Sequence, residues 1–339
     1  MKKQAGGFVY VQTNDADHNE IVVFARGAGG ELERLHSYLT GGSGSGEPHL
    51  PSQRSVVLDG DRLFVTNAGS DDLTVFKAVG EKLDLVDRVK SGGSTPRSVA
   101  VHGDRVYVLN TGDEPNVTGF VLDAERLVAV KGSSRNAGTD PAQVAFSPDG
   151  RTLLVTDRAD KIHAFAVDAD GQVRDQVTHQ SSGATPYGFD LRSDGVLVVT
   201  EAAGAQVGKA SASSYRLGEP TQLAPVSGAV GSTRSEVCWA VISNDGQTVF
   251  VTNFGDGTIS TYAIGDDGSI ELREAVAATT VDGTPGIRDE ALSSDGAYLY
   301  ALHADTGRVF GWKVGAGGEL SAVGSANGLP LTAAGLAAS

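Results

Sequence analysis

Short apolar strands that each end in a polar residue recur along the chain. In residues 141–168, the apolar run 144–146 is followed by a Ser-Pro-Asp-Gly turn, by Leu-Leu-Val-Thr-Asp at 153–157, and by another apolar run at 162–167. The polar-ended strand occurs seven times, with the last residues Asn14, Asn67, Asn110, Asp157, Glu201, Asn253 and His303. Their mean spacing of about 48 residues is near the ~40–50 residues of four-stranded propeller blades.

The strands alternate apolar and polar positions and are separated by Asp-Gly turns, and no segment has a helical period. The 45 glycines fit many tight turns. We therefore predict an all-β protein, a seven-bladed β-propeller of four-stranded antiparallel blades, as a single domain over residues 1–339. The predicted blades are approximately 8–40 plus 331–339, 51–92, 96–138, 141–182, 186–228, 236–280 and 286–327.

The two ends of the chain predict how the ring closes. The first blade begins at Phe8 without the strand that precedes the polar-ended strand in the other blades. Residues 330–338 match that missing strand, as a comparison with residues 96–101 indicates. We expect this C-terminal strand to join blade 1, which would leave no open sheet edge. The alternative is a disordered, alanine-rich tail.

Composition limits the classes of partner. The net charge of −15 disfavours nucleic acid and anionic membranes as general partners. The single cysteine, Cys238, excludes an intrachain disulfide. Neither a secretory signal nor a membrane-spanning run is evident, so a cytoplasmic protein is expected. The oligomeric state stays open, with a monomer expected.

Charged residues cluster where propellers usually carry small apolar residues. Aligning the seven innermost strands gives two columns beside the channel, at the end where the polar-ended strands finish. The first column is Arg54, Arg97, Ala142, Tyr187, Cys238, Arg288 and Ala334, and the second is Ser55, Ser98, Gln143, Gly188, Trp239, Asp289 and Gly335. Arginines there cost desolvation unless they meet charges or a ligand. Two interpretations remain: a site for an anion, and a ring of internal salt bridges that fills the channel.

No cofactor is predicted, because the sequence lacks a P-loop, a dinucleotide fingerprint and a Gly-x-Ser-x-Gly elbow. The histidines lack metal-ligand spacing, and the paired aspartates lie in turn positions, so no metal is predicted. Cys238 is more readily explained as a buried structural thiol than as a nucleophile.

The repeats resemble the lactonase family of seven-bladed propellers, which includes phosphogluconolactonases and carboxymuconate cyclases. The resemblance rests on Phe-Ser-Pro-Asp-Gly-Arg at 146–151, on the Val-Thr-Asn strand ends at 65–67 and 251–253, and on Gly-Ala-Thr-Pro at 183–186. It implies a channel-mouth cluster of Glu, Arg and His. The family's blade-5 glutamate corresponds to Glu201. The preceding Pro-Arg-His does not carry over, because this chain has Pro186, Tyr187 and Gly188 there.

These observations predict a lactonase-like enzyme that hydrolyses or cycloisomerises a small anionic lactone at the channel mouth, without a metal. Glu201 or Glu236 would be the general base and Tyr187 an oxyanion donor. The expected substrate-binding residues are Arg54, Arg97, Arg234, Trp239, Arg288, Asp289 and His303. Two of the segments concerned, 233–239 and 286–290, depart from the repeat consensus. The alternative is a non-catalytic propeller that binds a small ligand or a protein at the same face.

Overall fold

Seven antiparallel sheets form a ring around a central channel. The computed structural model describes residues 6–48, 50–51, 53–281 and 283–339. Within these residues, the innermost strand of each sheet contacts the innermost strands of both neighbouring sheets, which completes the ring. The prediction of a seven-bladed β-propeller is therefore confirmed.

In each blade, the first strand named below lies at the channel and the last lies at the outer rim. Blade 1 consists of Ala334–Ala338, Gly7–Gln12, Glu20–Arg26 and Leu32–Leu39. Blade 2 consists of Val56–Asp59, Arg62–Asn67, Asp72–Val79 and Lys82–Lys90. Blade 3 consists of Pro96–His102, Arg105–Asn110, Asn116–Asp123 and a divided outer strand, Arg126–Ala129 and Arg135–Asn136. Blade 4 consists of Pro141–Phe146, Thr152–Asp157, Lys161–Val167 and Val173–Gln180.

The remaining blades follow the same order. Blade 5 consists of Pro186–Leu191, Val196–Glu201, Ser211–Leu217 and Leu223–Gly231. Blade 6 consists of Val237–Ile242, Thr248–Asn253, Thr258–Ile264 and Ile270–Thr279. Blade 7 consists of Ile287–Leu292, Tyr298–His303, Arg308–Val314 and Leu320–Ala326. The helices of the described residues are single 3₁₀ turns at Ala203–Ala205 and Ala304–Thr306.

The second strands are almost continuously apolar because both of their faces are covered. In blade 2, Leu63 and Val65 pack in a core cluster shared with blade 1, whereas Phe64 packs in a cluster shared with blade 3. Successive side chains of a strand point to opposite faces of its sheet. Alternation therefore assigns neighbouring residues to the two neighbouring blades, and the core is distributed between blades.

The C-terminal strand closes the ring, as predicted. Ala334–Ala338 pairs antiparallel with Gly7–Gln12, with Val11 opposite Leu336. Leu336 is buried between blades 1 and 7, and the Gly335 amide donates a 2.6 Å hydrogen bond to Oδ2 of Asp289. The alanine-rich segment is thus the innermost strand of blade 1 and not a tail.

Candidate functional site in the central channel

A pocket of about 350 Å³ lies at the end of the channel where the second strands finish. Blades 4 to 7 supply the residues that surround it. They are Asp140, Arg158, Thr185, Tyr187, Ala202, Gly204, Ala205, Glu236, Cys238, Phe254 and Arg288. We call this space the mouth pocket. Its lining combines guanidinium, carboxylate and phenol groups with the phenyl ring of Phe254, which suits a small anion with a polar body.

Irregular pairing at the start of the innermost strands turns side chains toward the channel. In blade 5, the register with the second strand shifts between Pro186 and Phe189, around Tyr187. The corresponding strands of blades 3, 4, 6 and 7 show shifts at the same position, which in blade 7 contains Arg288. Bulges of this kind re-aim side chains next to functional sites. In these five blades, 3 to 7, the irregularity coincides with the first of the two columns seen in the sequence.

Arg288 is the most deeply buried cation of the mouth pocket. Its residue is 7 % exposed, and its guanidinium lies 4.7 Å from the ring centroid of Phe254. Its Nη1 reaches the Leu50 carbonyl at 3.4 Å, and its Nε has no hydrogen-bond partner. No carboxylate of the described residues lies within ion-pair distance of it, and burial lowers the pKa of Arg288. Its donors are therefore available to a ligand.

Two further arginines, Arg158 and Arg97, lie at or beside the mouth pocket. Arg158 forms an ion pair with Asp140, and its guanidinium lies 5.3 Å from the ring centroid of Tyr187. Arg97 is just outside the lining, with its nearest carboxylate, that of Glu47, at 3.9 Å. Burial lowers the pKa of Arg97, and the charge of Arg158 lowers it further. Arg97 and Arg158 therefore repel each other, and an anion between these two arginines would relieve the repulsion.

Glu236 provides a carboxylate at the same pocket. Its backbone has the left-handed conformation, with φ of 53°, which is uncommon for a residue with a side chain. Its carbonyl accepts hydrogen bonds from the Phe254 amide and the Cys238 thiol, but among the described residues its carboxylate has no hydrogen bond or ion pair. Burial raises the pKa of Cys238 to about 12, so the thiol stays protonated and is a poor nucleophile.

Tyr187 lines the mouth pocket, and the buried ring of Trp239 packs against it. Their ring centroids are 4.8 Å apart, with 59° between the planes. Burial raises the pKa of the Tyr187 phenol, so its hydroxyl remains a hydrogen-bond donor over the whole neutral range. Trp239 is 1 % exposed and does not line the mouth pocket, and its Nε1 has no partner.

The side chain of Gln53 crosses the channel beneath the mouth pocket. Its Nε2 donates to the Ala240 carbonyl at 2.8 Å, and the Ala240 amide donates to its Oε1 at 3.3 Å. Along the same strand of blade 6, Cys238 lines the mouth pocket, whereas Val241 and Ile242 line a second cavity. Gln53 therefore lies at the level that separates the two cavities.

The second cavity, of about 290 Å³, extends toward the Asp-Gly turns at the opposite end of the channel. We call it the turn-side chamber. Two residues predicted for the mouth, Arg54 and Asp289, line this chamber instead. Arg54 has a left-handed backbone, with φ of 66°, and its Nε donates to the Val99 carbonyl at 3.4 Å. Its shared register with Arg97 did not fix the direction of its side chain.

The structure does not bring Glu201 to the mouth pocket. The residue is fully buried, and four groups donate to its carboxylate. Those donors are the Gly183 amide at 2.8 Å and the hydroxyls of Ser213 at 2.5 Å, Ser211 at 2.6 Å and Ser181 at 3.3 Å. A carboxylate saturated in this way holds two strands and the preceding loop together, and it has no lone pair directed at a substrate.

Two other predicted residues lie outside the pocket. The ring of His303 is fully buried, with Nε2 3.3 Å from the Thr284 carbonyl and Nδ1 3.1 Å from the Thr306 hydroxyl. Arg234 forms an ion pair with Asp256 at 3.4 Å. Both therefore have contacts that stabilise the fold, and neither lines the mouth pocket.

Sequence reasoning missed Arg158, Phe254 and Gln53. Arg158 directly follows Asp157, and Phe254 directly follows Asn253, the polar last residues of their second strands. Including the next residue after each polar-ended strand would have identified both. Gln53 precedes Arg54 as Pro96 precedes Arg97, and a polar residue at a proline position was a second signal.

Within residues 6–48, 50–51, 53–281 and 283–339, no group of three or more histidine, cysteine, aspartate or glutamate side chains could hold a metal ion. In the same residues, no helix is both long enough and apolar enough for a membrane span.

The ring of sheets defines the class of this chain as a seven-bladed β-propeller. The model of the family "Lactonase, 7-bladed beta-propeller" matches residues 3–127, 116–208 and 199–330. The chain therefore belongs to the lactonase family of seven-bladed β-propellers. No curated protein matches it.

Solved structures share the whole ring. A protein from Lactobacillus plantarum has a TM-score of 0.78 at 15% identity, over 99% of this chain and 100% of its own. A protein from Bacteroides fragilis, provisionally assigned as a 6-phosphogluconolactonase, has 0.74 at 16%, over 100% and 99%. The periplasmic gluconolactonase of Pseudomonas aeruginosa has 0.73 at 18%, over 98% of both chains. At these identities, the similarity establishes the fold alone.

Proposed function

We propose that the mouth pocket binds a small lactone with an anionic group and that the protein hydrolyses it. The observation that carries this proposal is Arg288, a buried guanidinium with an unpartnered Nε and no described carboxylate at ion-pair distance, in a pocket shared with the carboxylate of Glu236. Membership of the lactonase family and structural neighbours named for gluconolactone chemistry support the choice of substrate class.

The arginines would bind the anionic group of the substrate. Guanidinium groups recognise carboxylate and phosphate through paired N–H donors. Arg288 lines the pocket beside Phe254, and Arg158 lines it beside Tyr187. The whole protein carries a net charge of −15, which repels anions in general. The local cluster of arginines would attract an anion to the pocket in spite of that charge.

Glu236 would act as the general base. Its carboxylate takes a proton from water while the water oxygen bonds to the lactone carbonyl carbon. The oxyanion that forms accepts a hydrogen bond from the protonated Tyr187 hydroxyl and is stabilised by the charge of Arg288. The ring C–O bond then breaks, and the proton passes from Glu236 to the leaving alkoxide, which gives a hydroxy acid.

A panel of phosphorylated, carboxylated and neutral lactones tests the proposal. We expect turnover of an anionic member, and Glu236→Gln should lower the rate by about 10²–10⁴-fold, the usual contribution of a general base. Glu219→Gln is the matched control, because Glu219 is an exposed side chain at the rim of a different blade. Full activity of Glu236→Gln on a turned-over lactone would contradict the mechanism.

Anion binding is measured separately from catalysis. Phosphate should raise the melting temperature of the protein, because a ligand that binds only the folded state stabilises it. Arg288→Ala should abolish the increase, whereas alanine at the exposed Arg126 should not. A phosphate effect that depends on Arg288, without turnover of any lactone, would identify a non-catalytic binding propeller and overturn the hydrolase.

A further inference from the structure

The turn-side chamber concentrates carboxyl groups in the channel. Its ionisable lining residues are Arg54, Asp190, Asp289 and Glu290. Three carboxyl groups thus face one guanidinium, and no ion pair joins Arg54 to any carboxylate of the described residues. The charge of Asp59 also acts on Arg54 from the turn side. If all of these groups were ionised, the chamber would carry an excess of negative charge.

Two of the carboxyl groups have oxygen atoms without partners. Glu290 is 4 % exposed, and neither of its carboxylate oxygens has a hydrogen-bond partner. Asp289 is 2 % exposed; its Oδ2 accepts the Gly335 amide, but its Oδ1 has no partner. A buried acceptor that stays unpaired costs about 1–3 kcal/mol, and more if it is charged. Three oxygen atoms in one small chamber therefore lack the donors that they need.

Asp190 has a different environment. Its carboxylate accepts hydrogen bonds from the amides of Ile242 at 2.8 Å and Leu191 at 2.9 Å. This residue adds a third carboxyl group to the chamber, and each of its two oxygens already has one hydrogen-bond donor. The unsatisfied capacity thus belongs to the adjacent residues Asp289 and Glu290 on the innermost strand of blade 7.

Asp289 and Glu290 retain their protons to higher pH than exposed carboxyl groups do. Burial raises the pKa of Asp289 to about 7, and burial together with the charges of Asp190 and Asp289 raises the pKa of Glu290. A cation with N–H donors would satisfy the same oxygen atoms without a bound proton, because it supplies both charge and hydrogen bonds.

The chamber is also accessible to small molecules. Its lining includes Asn244 and Ser294, which are exposed residues of the Asp-Gly turns of blades 6 and 7. On the other side, Gln53 separates it from the mouth pocket. A ligand of the chamber would therefore enter from the turn face, opposite to the proposed lactone site.

We propose that the turn-side chamber is a second binding site, for a small organic cation that carries several N–H donors, such as a primary ammonium group. The oxygens of Glu290 and Asp289 accept its hydrogen bonds, and Asp190 contributes charge. A metal ion fits less well, since no group of three or more ligating side chains in the described residues is arranged to hold one.

Ethylammonium chloride is the probe, with tetramethylammonium chloride at equal ionic strength as the cation without N–H donors. Calorimetric titration at pH 8 should detect saturable binding of ethylammonium only. At pH 5, below the pKa of about 7 of Asp289, that carboxyl group retains its proton, and binding should weaken at least tenfold. Glu290→Gln should abolish binding at pH 8, and Asp289→Asn should weaken it.

Glu236→Gln is the control for the position of the site, because it changes a carboxylate on the other side of Gln53; it should keep ethylammonium binding. A crystal soaked with ethylammonium should show the cation beside Glu290. Absence of binding at pH 8, equal binding of tetramethylammonium, or unchanged binding by Glu290→Gln would each overturn the proposal. None of these outcomes bears on lactone hydrolysis at the mouth pocket.

Discussion

Gln53 and Ala240 are joined across the channel by a pair of hydrogen bonds between a side-chain amide and a backbone, at 2.8 and 3.3 Å. Gly188 makes this crossing sterically feasible. A Cβ atom at position 188 would lie 2.3 Å from Oε1 of Gln53 and 2.5 Å from the Cys238 carbonyl oxygen. A residue without a side chain at position 188 therefore leaves the space that the crossing glutamine occupies.

Gly188→Ala should therefore destabilise the protein. Overpacking in a dense interior costs about 1–3 kcal/mol, and urea unfolding measures the loss. The double variant Gln53→Ala/Gly188→Ala should recover only part of it, because the Cys238 carbonyl is backbone and cannot rotate away. Unchanged stability of Gly188→Ala would show that Gln53 does not occupy the channel as described.

Glu201→Gln should lower stability, whatever its effect on activity. The change weakens several hydrogen bonds to a buried charge, each worth about 1.5–3 kcal/mol, so we expect a loss of roughly 2–4 kcal/mol in the free energy of unfolding. Glu236→Gln is the matched comparison, since its carboxylate is partly exposed and has no described partner; its stability should change by less than about 0.5 kcal/mol. Equal effects of the two substitutions would contradict the structural role of Glu201.

Asp289 should make the protein less stable as pH rises. Its carboxyl has an ordinary pKa of 3.8 in the unfolded chain and about 7 in the folded one. Between these values the folded state binds a proton that the unfolded state lacks, so stability falls as pH rises through this range and the loss is complete above it. At about 1.4 kcal/mol per unit of pKa, the effect is up to about 4 kcal/mol.

The measurement is urea unfolding of the wild-type protein and of Asp289→Asn at pH 5 and pH 8. Asparagine keeps an oxygen acceptor for the Gly335 amide but cannot ionise. The advantage of the variant over the wild-type protein should be larger at pH 8 than at pH 5. The same difference at both values would rule out titration of Asp289 in this range.

Two leucines of the C-terminal segment test the ring closure. Leu336 is 6 % exposed, within the innermost strand of blade 1, whereas Leu331 is 57 % exposed, just before it. Leu336→Ala should cost about 2–5 kcal/mol, as large-to-small core substitutions do. Leu331→Ala should change stability by less than about 0.5 kcal/mol. Thermal and urea unfolding distinguish the two outcomes, and similar effects would contradict the closure.

The sequence predicted the ring well because a blade is a local unit. Strand alternation recurs in every blade and the Asp-Gly turn in most of them, and the match of residues 330–338 to an innermost strand located the closing element. Channel side chains were harder to predict. Arg54 and Arg97 share a register, yet the left-handed backbone of Arg54 directs its side chain to the turn-side chamber.

The environment of the Glu201 carboxylate was also hard to predict, for a related reason. Its partners come from the third strand of blade 5 and from the loop before the first, and a register alignment of first and second strands contains neither. Ser211 and Ser213 are visible in the sequence, but only the pairing of strands shows that both hydroxyls reach one carboxylate. The repeats predicted where Glu201 lies along its strand, but they did not predict how many groups donate hydrogen bonds to its carboxylate.

The ring closure also constrains the order in which the strands can pair during protein synthesis. The Phe8 amide bonds to Ser339, 331 positions later in the chain. Blades 2 to 7 are each continuous in sequence and can pair their strands while the ribosome is still translating, but the strand Gly7–Gln12 keeps one edge unpaired until Ala334–Ala338 has emerged. During that interval the nascent chain has an exposed β edge, at which premature pairing with another chain can begin.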